Sequence, residues 1–224
     1  MLVLALDTAT AATAVALVAF DEEGDARVLA QRRHIDPRAH GERLAPMIEA
    51  VLAAGGVGPD RLAAIVAGTG PGPFTGLRVG LATAAAMGQA LGVPTYGVCS
   101  LDGIGIATDR EETLVATDAR RREIYWAIYA GGVRLTDPAV DRPADIVPVL
   151  AARGVGRALG EGARRYRGAL GLPVAEDPSH PTPTALAIMA YDRIAAGAPG
   201  ERLTASYLRR PDVSEPGPSK PVTR

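Results

Sequence analysis

Residues 62–94 read LAAIVAGTGPGPFTGLRVGLATAAAMGQALGVP, and the interpretation of this stretch decides the fold. The aliphatic run 62–67 stops at Gly68 and has the length and composition of a buried strand. Gly68, Gly70, Pro71, Gly72 and Pro73 follow, a composition that suits neither a helix nor a strand interior. Thr75 has the side chain of an N-cap, which places a helix over 76–91. Gly92 stops that helix, and Val93-Pro94 opens the next extended segment. Strand, glycine loop and helix in this order bring backbone N–H groups and a helix N-terminus to one point, where an anion can be held. The spacing matches no specific phosphate signature. A P-loop carries Lys and then Ser or Thr after its second glycine, whereas Leu77-Arg78 stand there, and glycines at 68, 70, 72 and 76 miss the dinucleotide fingerprint. A tight structural turn is the simpler reading, with anion binding the alternative.

The helix after the loop carries Gly76, Gly80, Ala84 and Gly88 at intervals of four, hence on one face. Each interior glycine costs roughly 1 kcal/mol relative to alanine, so the stripe needs a reason. Close approach of another backbone supplies one, from the same chain or from a second subunit. Leu77, Leu81 and Leu91 provide bulkier contacts elsewhere on the helix.

The 224 residues allow one large domain or two lobes of about 100 residues each. A formal charge of −1 excludes a general nucleic-acid binder, so any RNA partner requires a local patch or another subunit. The single cysteine, Cys99, excludes an intramolecular disulfide framework and fits a reducing compartment. The apolar start lacks a positive n-region and is interrupted by Asp7, and no run reaches a charge-free membrane span. The expected location is the cytoplasm, with no membrane contact.

In chain order, 2–6 is a short strand ending at Asp7-Thr8, 13–20 a second and 27–33 a third, more exposed one, together an antiparallel meander. Asp7 is a turn residue or a residue facing a ligand or hydrated metal. A helix spans 41–54 on the pattern Leu44, Met47, Ile48, Val51, Leu52, with Pro46 predicting a kink or late start. His40 at its entry has no second histidine at i+3 or i+4, so no metal is expected. The first hundred residues read β-β-β-α-β-α-β. The second half opens alike: 114–117 ends in Asp118, and 123–129 alternates as a half-buried strand before Gly131-Gly132. Two lobes, each opening with a strand that ends in Asp, imply an internal duplication. Further elements are a helix at 144–153, short strands at 158–160 and 172–174, and a helix at 184–196. Two basic clusters, Arg120–Arg122 and Arg164, Arg165 and Arg167, read as solvated surface, and the Pro-rich tail 211–224 as disordered.

LALDTAT (4–10), AHGERLAPMIEAVL (39–52), AGTGPGPFTGLRVGLATA (67–84), ATDARRREIYWAIY (116–129) and SYLRR (206–210) together resemble the TsaB (YeaZ) family. These are non-catalytic partners in bacterial tRNA threonylcarbamoyladenosine synthesis. The resemblance covers most of the chain and is weakest over 135–200. It implies an α/β fold of two ribonuclease-H-like lobes, as in actin, Hsp70 ATPases and sugar kinases, here 1–100 and 101–210. It implies docking to the catalytic sister, TsaD, which modifies adenosine 37, and homodimerisation alone through the same surface. A TsaE-type ATPase and tRNA are then met through the complex. The surface matches His40, Arg43, Leu44 and Met47 on one helix and Arg78, Gly80, Leu81, Ala84 and Gly88 on the next, which favours the intersubunit reason for the glycines. On that basis Gly80→Arg or Ala84→Arg is expected to block association. No cofactor is required; ATP or ADP where subunits meet would be touched by Asp7, Thr8, Gly70, Gly72, Thr75 and Gly76.

One departure separates this chain from the sister, whose His-x-x-x-His metal pair is replaced here by Ser100 and Ile104. The chain is also short for the sister's larger C-terminal lobe. No transfer activity of its own is expected. Two other classes compete with the partner role. An autonomous phosphotransferase or ATPase would use Asp7 and Asp118, but Arg120, Arg121 and Arg122 follow the second aspartate and no adenosine-binding glycine motif stands out after it. A hydrolase needs a nucleophile–base pair, and Cys99, His34, His40 and His180 are scattered in sequence.

Overall fold

In β1 (Leu2–Asp7), Leu4 and Leu6 point to one side and Val3 and Ala5 to the other, so this apolar strand has to be covered on both faces. β2 (Ala12–Phe20) divides the same way, Val15 and Leu17 against Ala16 and Val18. β3 (Ala26–Ile35) completes the antiparallel meander at the exposed edge. α1 (His40–Ala54) then covers the Leu4 face with Leu44, Ile48, Val51 and Leu52. It starts at His40 despite Pro46, which is exposed, where the carbonyl it leaves unbonded is hydrated.

β4 (Ala64–Gly68) runs parallel to β1, and β5 (Thr95–Val98) parallel to β4, giving the order β3-β2-β1-β4-β5. Between them lies α2 (Phe74–Leu91), which begins two residues before the expected start. Its N-cap is Pro73 (φ −60°) and not Thr75, which sits in the first turn; proline presets the entry angle without a side-chain cap. Gly92 ends α2 in the left-handed conformation, as expected.

After α3 (Asp102–Gly105), the second sheet repeats the plan in abbreviated form. β6 (Thr113–Arg120) pairs antiparallel with β7 (Glu123–Ala130), as β1 does with β2. β8 (Val133–Arg134) and β9 (Ala139–Asp141) both pair β7. Beyond α4 (Pro143–Arg153), β10 (Arg157–Leu159) runs parallel to β6, as β4 does to β1. α5 (Glu161–Arg165) and α6 (Arg167–Leu170) join α4 over Leu114, Trp126 and Ile128. Ile104 of α3 packs on the other face with Val115 and Tyr129. The 172–174 segment makes one bridge, Ala158 with Val174, and no strand.

The last helix, α7 (Pro183–Ala195), does not follow a division at residue 100. Its Leu186, Ala187, Ala190 and Ile194 cover the Val3 face of the first sheet, where Val18, Val66 and Tyr96 are buried. Each fully buried aliphatic side chain is worth about 1.5–3 kcal/mol, and this face would be bare without α7. The chain after α7 stays with the first lobe: the Glu201 N–H donates to the Thr95 carbonyl and the Ser206 N–H to that of Thr69. The computed structural model describes residues 1–209, so the expected disorder of 211–224 and the end of the 206–210 signature lie outside the described residues. Among the described residues no helix is long and apolar enough to cross a membrane.

Candidate functional site

Asp7 lies where β1, β4 and β5 end together, and it is sealed. Its Oδ1 accepts the Ala9 N–H at 2.9 Å, and its Oδ2 accepts the Ser100 hydroxyl at 2.6 Å. Ser100 Oγ in turn accepts the Gly70 N–H at 3.0 Å. A side chain at Gly68 would collide with the Asp7 carboxylate, so that glycine makes room for the knot. Burial pushes the Asp7 carboxyl up to about 6 despite both hydrogen bonds. Thr8 is buried as well, donating to the Gly76 carbonyl at 2.7 Å. Gly70, at φ +94°, turns inward against Leu77. Asp7, Thr8 and Gly70 therefore shape the loop from beneath and do not line the cleft between the sheets.

The raised Asp7 value has a measurable consequence. A carboxyl with folded pKa about 6 against an ordinary 3.8 favours the folded state when protonated. Its contribution is full below pH 4 and is lost as pH rises through 6, on the order of 3 kcal/mol in all. Asp7→Asn keeps the acceptor toward Ala9 and removes the charge. The variant is expected to be more stable than its parent at pH 8 and to lack the parent's decline between pH 4 and 6. Denaturant titrations at each pH measure both.

The expected interface residues fall into two groups. His40, Leu44, Gly80, Leu81, Ala84 and Gly88 are buried in the chain's own first lobe. The His40 Nδ1 lies 2.7 Å from the Thr13 hydroxyl. Gly76 faces the Thr8 carbonyl and the His40 ring, Gly80 the Thr8 side chain, and Gly88 faces Thr95. The backbone that the glycine stripe approaches is thus intramolecular, which corrects the intersubunit explanation. Arg43 and Arg78 are exposed and Met47 half-buried, and these three remain on the surface.

Between the sheets lies a cleft of about 760 Å³. Its first-lobe wall holds Thr10, Arg38, His40, Gly72, Thr75 and Gly76, three of them expected anion contacts. The second-lobe wall holds Asp118, Glu161, Arg165 and Tyr166 with the hairpin Arg120, Arg121 and Arg122. Asp118 accepts the Tyr166 hydroxyl at 3.2 Å and lies 3.4 Å from Arg165; its own N–H donates to Glu161 at 3.1 Å. Unlike sealed Asp7, it faces the cleft. Burial pushes Glu161 up to about 7. All three hairpin arginines are left-handed, with φ of 61°, 50° and 65°.

Tyr207 and Arg209 close one side of the cleft from the C-terminal segment. Tyr207 packs on Phe74 at 5.1 Å between centroids, and Arg78 lies 3.8 Å over the same Phe74 ring. Arg209 reaches the other wall, donating to the Ala119 carbonyl at 2.9 Å and pairing with Glu123 at 2.8 Å. Spacing could not announce these contacts; the only sequence signal was the SYLRR resemblance. Among the described residues no three His, Cys, Asp or Glu side chains converge to hold a metal.

Two mixed sheets on one strand plan, facing each other across a cleft, define a two-lobed α/β protein. The family model described as "TsaD: tRNA N6-adenosine threonylcarbamoyltransferase" matches residues 28–170. An uncharacterized protein of Mycobacterium leprae is 48% identical over 223 residues, 99% of this chain and 57% of its own. The Escherichia coli tRNA threonylcarbamoyladenosine biosynthesis protein TsaB is 36% identical over 133 residues, 58% of this chain and 55% of its own. The match thus spans just over half the length of these two curated relatives. A Pseudomonas aeruginosa structure, described as an uncharacterized protein with similarity to peptidase YeaZ, aligns with TM-score 0.75 and 31% identity, over 93% of this chain and 99% of that one. The chain belongs to this family, in its TsaB/YeaZ line.

Proposed function

We propose that this chain is the non-catalytic partner of a TsaD-type threonylcarbamoyl transferase acting on adenosine 37 of tRNA in the cytoplasm. It docks that enzyme through the outward faces of α1 and α2. The observation that carries the reading is the outer face of α2, which has no charged residue from 79 to 91. Ala82, Ala85, Ala86 and Ala90 are exposed there, flanked by half-buried Val79 and Met87 and by Met47 of α1. The solvent face of a solitary amphipathic helix is normally charged or polar, whereas small side chains let another helix come close. The same face serves the homodimer when the chain is alone, and a TsaE-type ATPase joins through the complex.

Ser100 and Ile104 support a role without transfer chemistry. Ser100 is spent on Asp7, and Ile104 is fully buried in the second-lobe core. Sealed Asp7 weighs against the autonomous phosphotransferase. No cofactor is required under this reading; of the residues expected to touch ATP or ADP where subunits meet, Thr75 is the exposed one. Reconstitution tests the proposal. The catalytic subunit, supplied with threonylcarbamoyl-adenylate and unmodified tRNA, should modify adenosine 37 only when this chain is added. Modification indifferent to its omission, or nucleotide turnover by this chain alone, would contradict the proposal.

A further inference from the structure

We infer that the cleft between the lobes holds the phosphate backbone of RNA directly, an inference that rests on the function proposed above only for which RNA it meets. The Arg120–Arg122 hairpin and Arg165 of the second arginine cluster converge here. Arg38, Arg120, Arg121, Arg122, Arg165 and Arg209 line the cleft against two carboxylates, Asp118 and Glu161. Both carboxylates are already engaged, Asp118 by Tyr166 and Arg165 and Glu161 by the Asp118 N–H. Arg38, Arg120 and Arg122 make no ion pair among the described residues. With a chain charge of −1, this cationic excess is local. Guanidinium groups match phosphate oxygens two at a time.

Further observations favour a strand of RNA over a single nucleotide or an acidic protein. Phe74, Tyr166 and Tyr207 line the same cleft and are partly exposed there, and aromatic rings interleaved with arginines are stacking platforms for unpaired bases. The basic surface also runs on beyond the cleft. Thr10 in its floor lies 3.2 Å from His180, whose basicity is depressed first by burial and then by the exposed Arg33 and Arg164 nearby, against the opposing effect of Asp177. A metal-bound nucleoside triphosphate would want a free carboxylate beside its phosphates, yet both oxygens of Asp7 are taken and those of Asp118 face Tyr166 and Arg165. Finally, three successive left-handed non-glycine residues cost roughly 1–3 kcal/mol each. The left-handed turn formed at that cost sets all three hairpin arginines on the cleft wall.

The test is the double variant R120N/R122N, since asparagine tolerates the left-handed region and should preserve the hairpin. Fluorescence anisotropy of a labelled, unmodified tRNA transcript is followed on the full chain between about 50 and 200 mM salt. Each phosphate contact contributes about 0.7–0.9 to the slope of log affinity against log salt. The double variant should lose at least tenfold in affinity and about 1.4–1.8 in slope, and excess ATP should not displace the RNA from the parent. Unchanged affinity and slope would overturn the inference, as would full displacement by ATP or by polyglutamate. Co-sedimentation of the same variant with the catalytic subunit should be unaffected. A parent chain that ignores that subunit, yet binds RNA through these arginines, would sink the partner role and leave this inference standing.

Discussion

Gly80→Arg is expected to leave the chain without a cooperative folding transition. A Cβ at Gly80 already overlaps the Thr8 hydroxyl and sits 3.4 Å from Leu6. Thr8 cannot step aside, because its hydroxyl is held by the Gly76 carbonyl of the same helix and its neighbour Asp7 is locked to Ser100. Arginine adds a guanidinium buried without a counter-charge. A combined loss above about 4 kcal/mol is a large part of the 5–15 kcal/mol that holds a typical domain together. Ala84→Arg should behave alike, since Ala84 is fully buried in the first-lobe core. Circular dichroism during heating measures both. A folded Gly80→Arg chain that had lost only its partner would restore the intersubunit explanation of the glycine stripe.

Ala86→Arg should do the opposite, leaving the fold intact and removing the association. Ala86 is exposed on α2, in line with Ala82 and Ala90 at intervals of four. An exposed helical substitution away from caps and core usually changes stability by no more than about 0.5 kcal/mol. Against a docked helix, however, the arginine would hold the backbones apart and lose its water without gaining a partner. A loss of about 3 kcal/mol, at least 100-fold in affinity, is expected for the heteromeric complex and the homodimer alike. Sedimentation velocity of parent and variant over a concentration series measures it. Normal assembly by the variant would move the docking surface elsewhere.

The contrast between these two positions marks how far the sequence could be read. β1, β2 and β4 were legible because both of their faces are apolar, and Gly92 because only a left-handed stop explains it. The four-residue stripe was legible as a face, but not what it faced. Thr8 meets it across 72 residues of chain, and no local pattern records such a pairing. The sealing of Asp7 depends on Ser100 and on the missing side chain of Gly68, likewise distant in sequence. α7 was legible as a helix, but its place on the first sheet followed from an apolar face that only the assembled strands reveal. The arginine clusters read as ordinary surface until the fold brought Arg120–Arg122 and Arg165 to one cleft.

Docking to a catalytic relative is tested most directly by size-exclusion chromatography with light scattering. The pure chain is run first, then an equimolar mixture with the TsaD-type subunit of the same organism. A homodimer should give way to a heteromeric complex in the mixture, with the Ala86→Arg chain remaining folded and monomeric in both runs. A parent chain that stays monomeric and elutes apart from the catalytic subunit would contradict that docking.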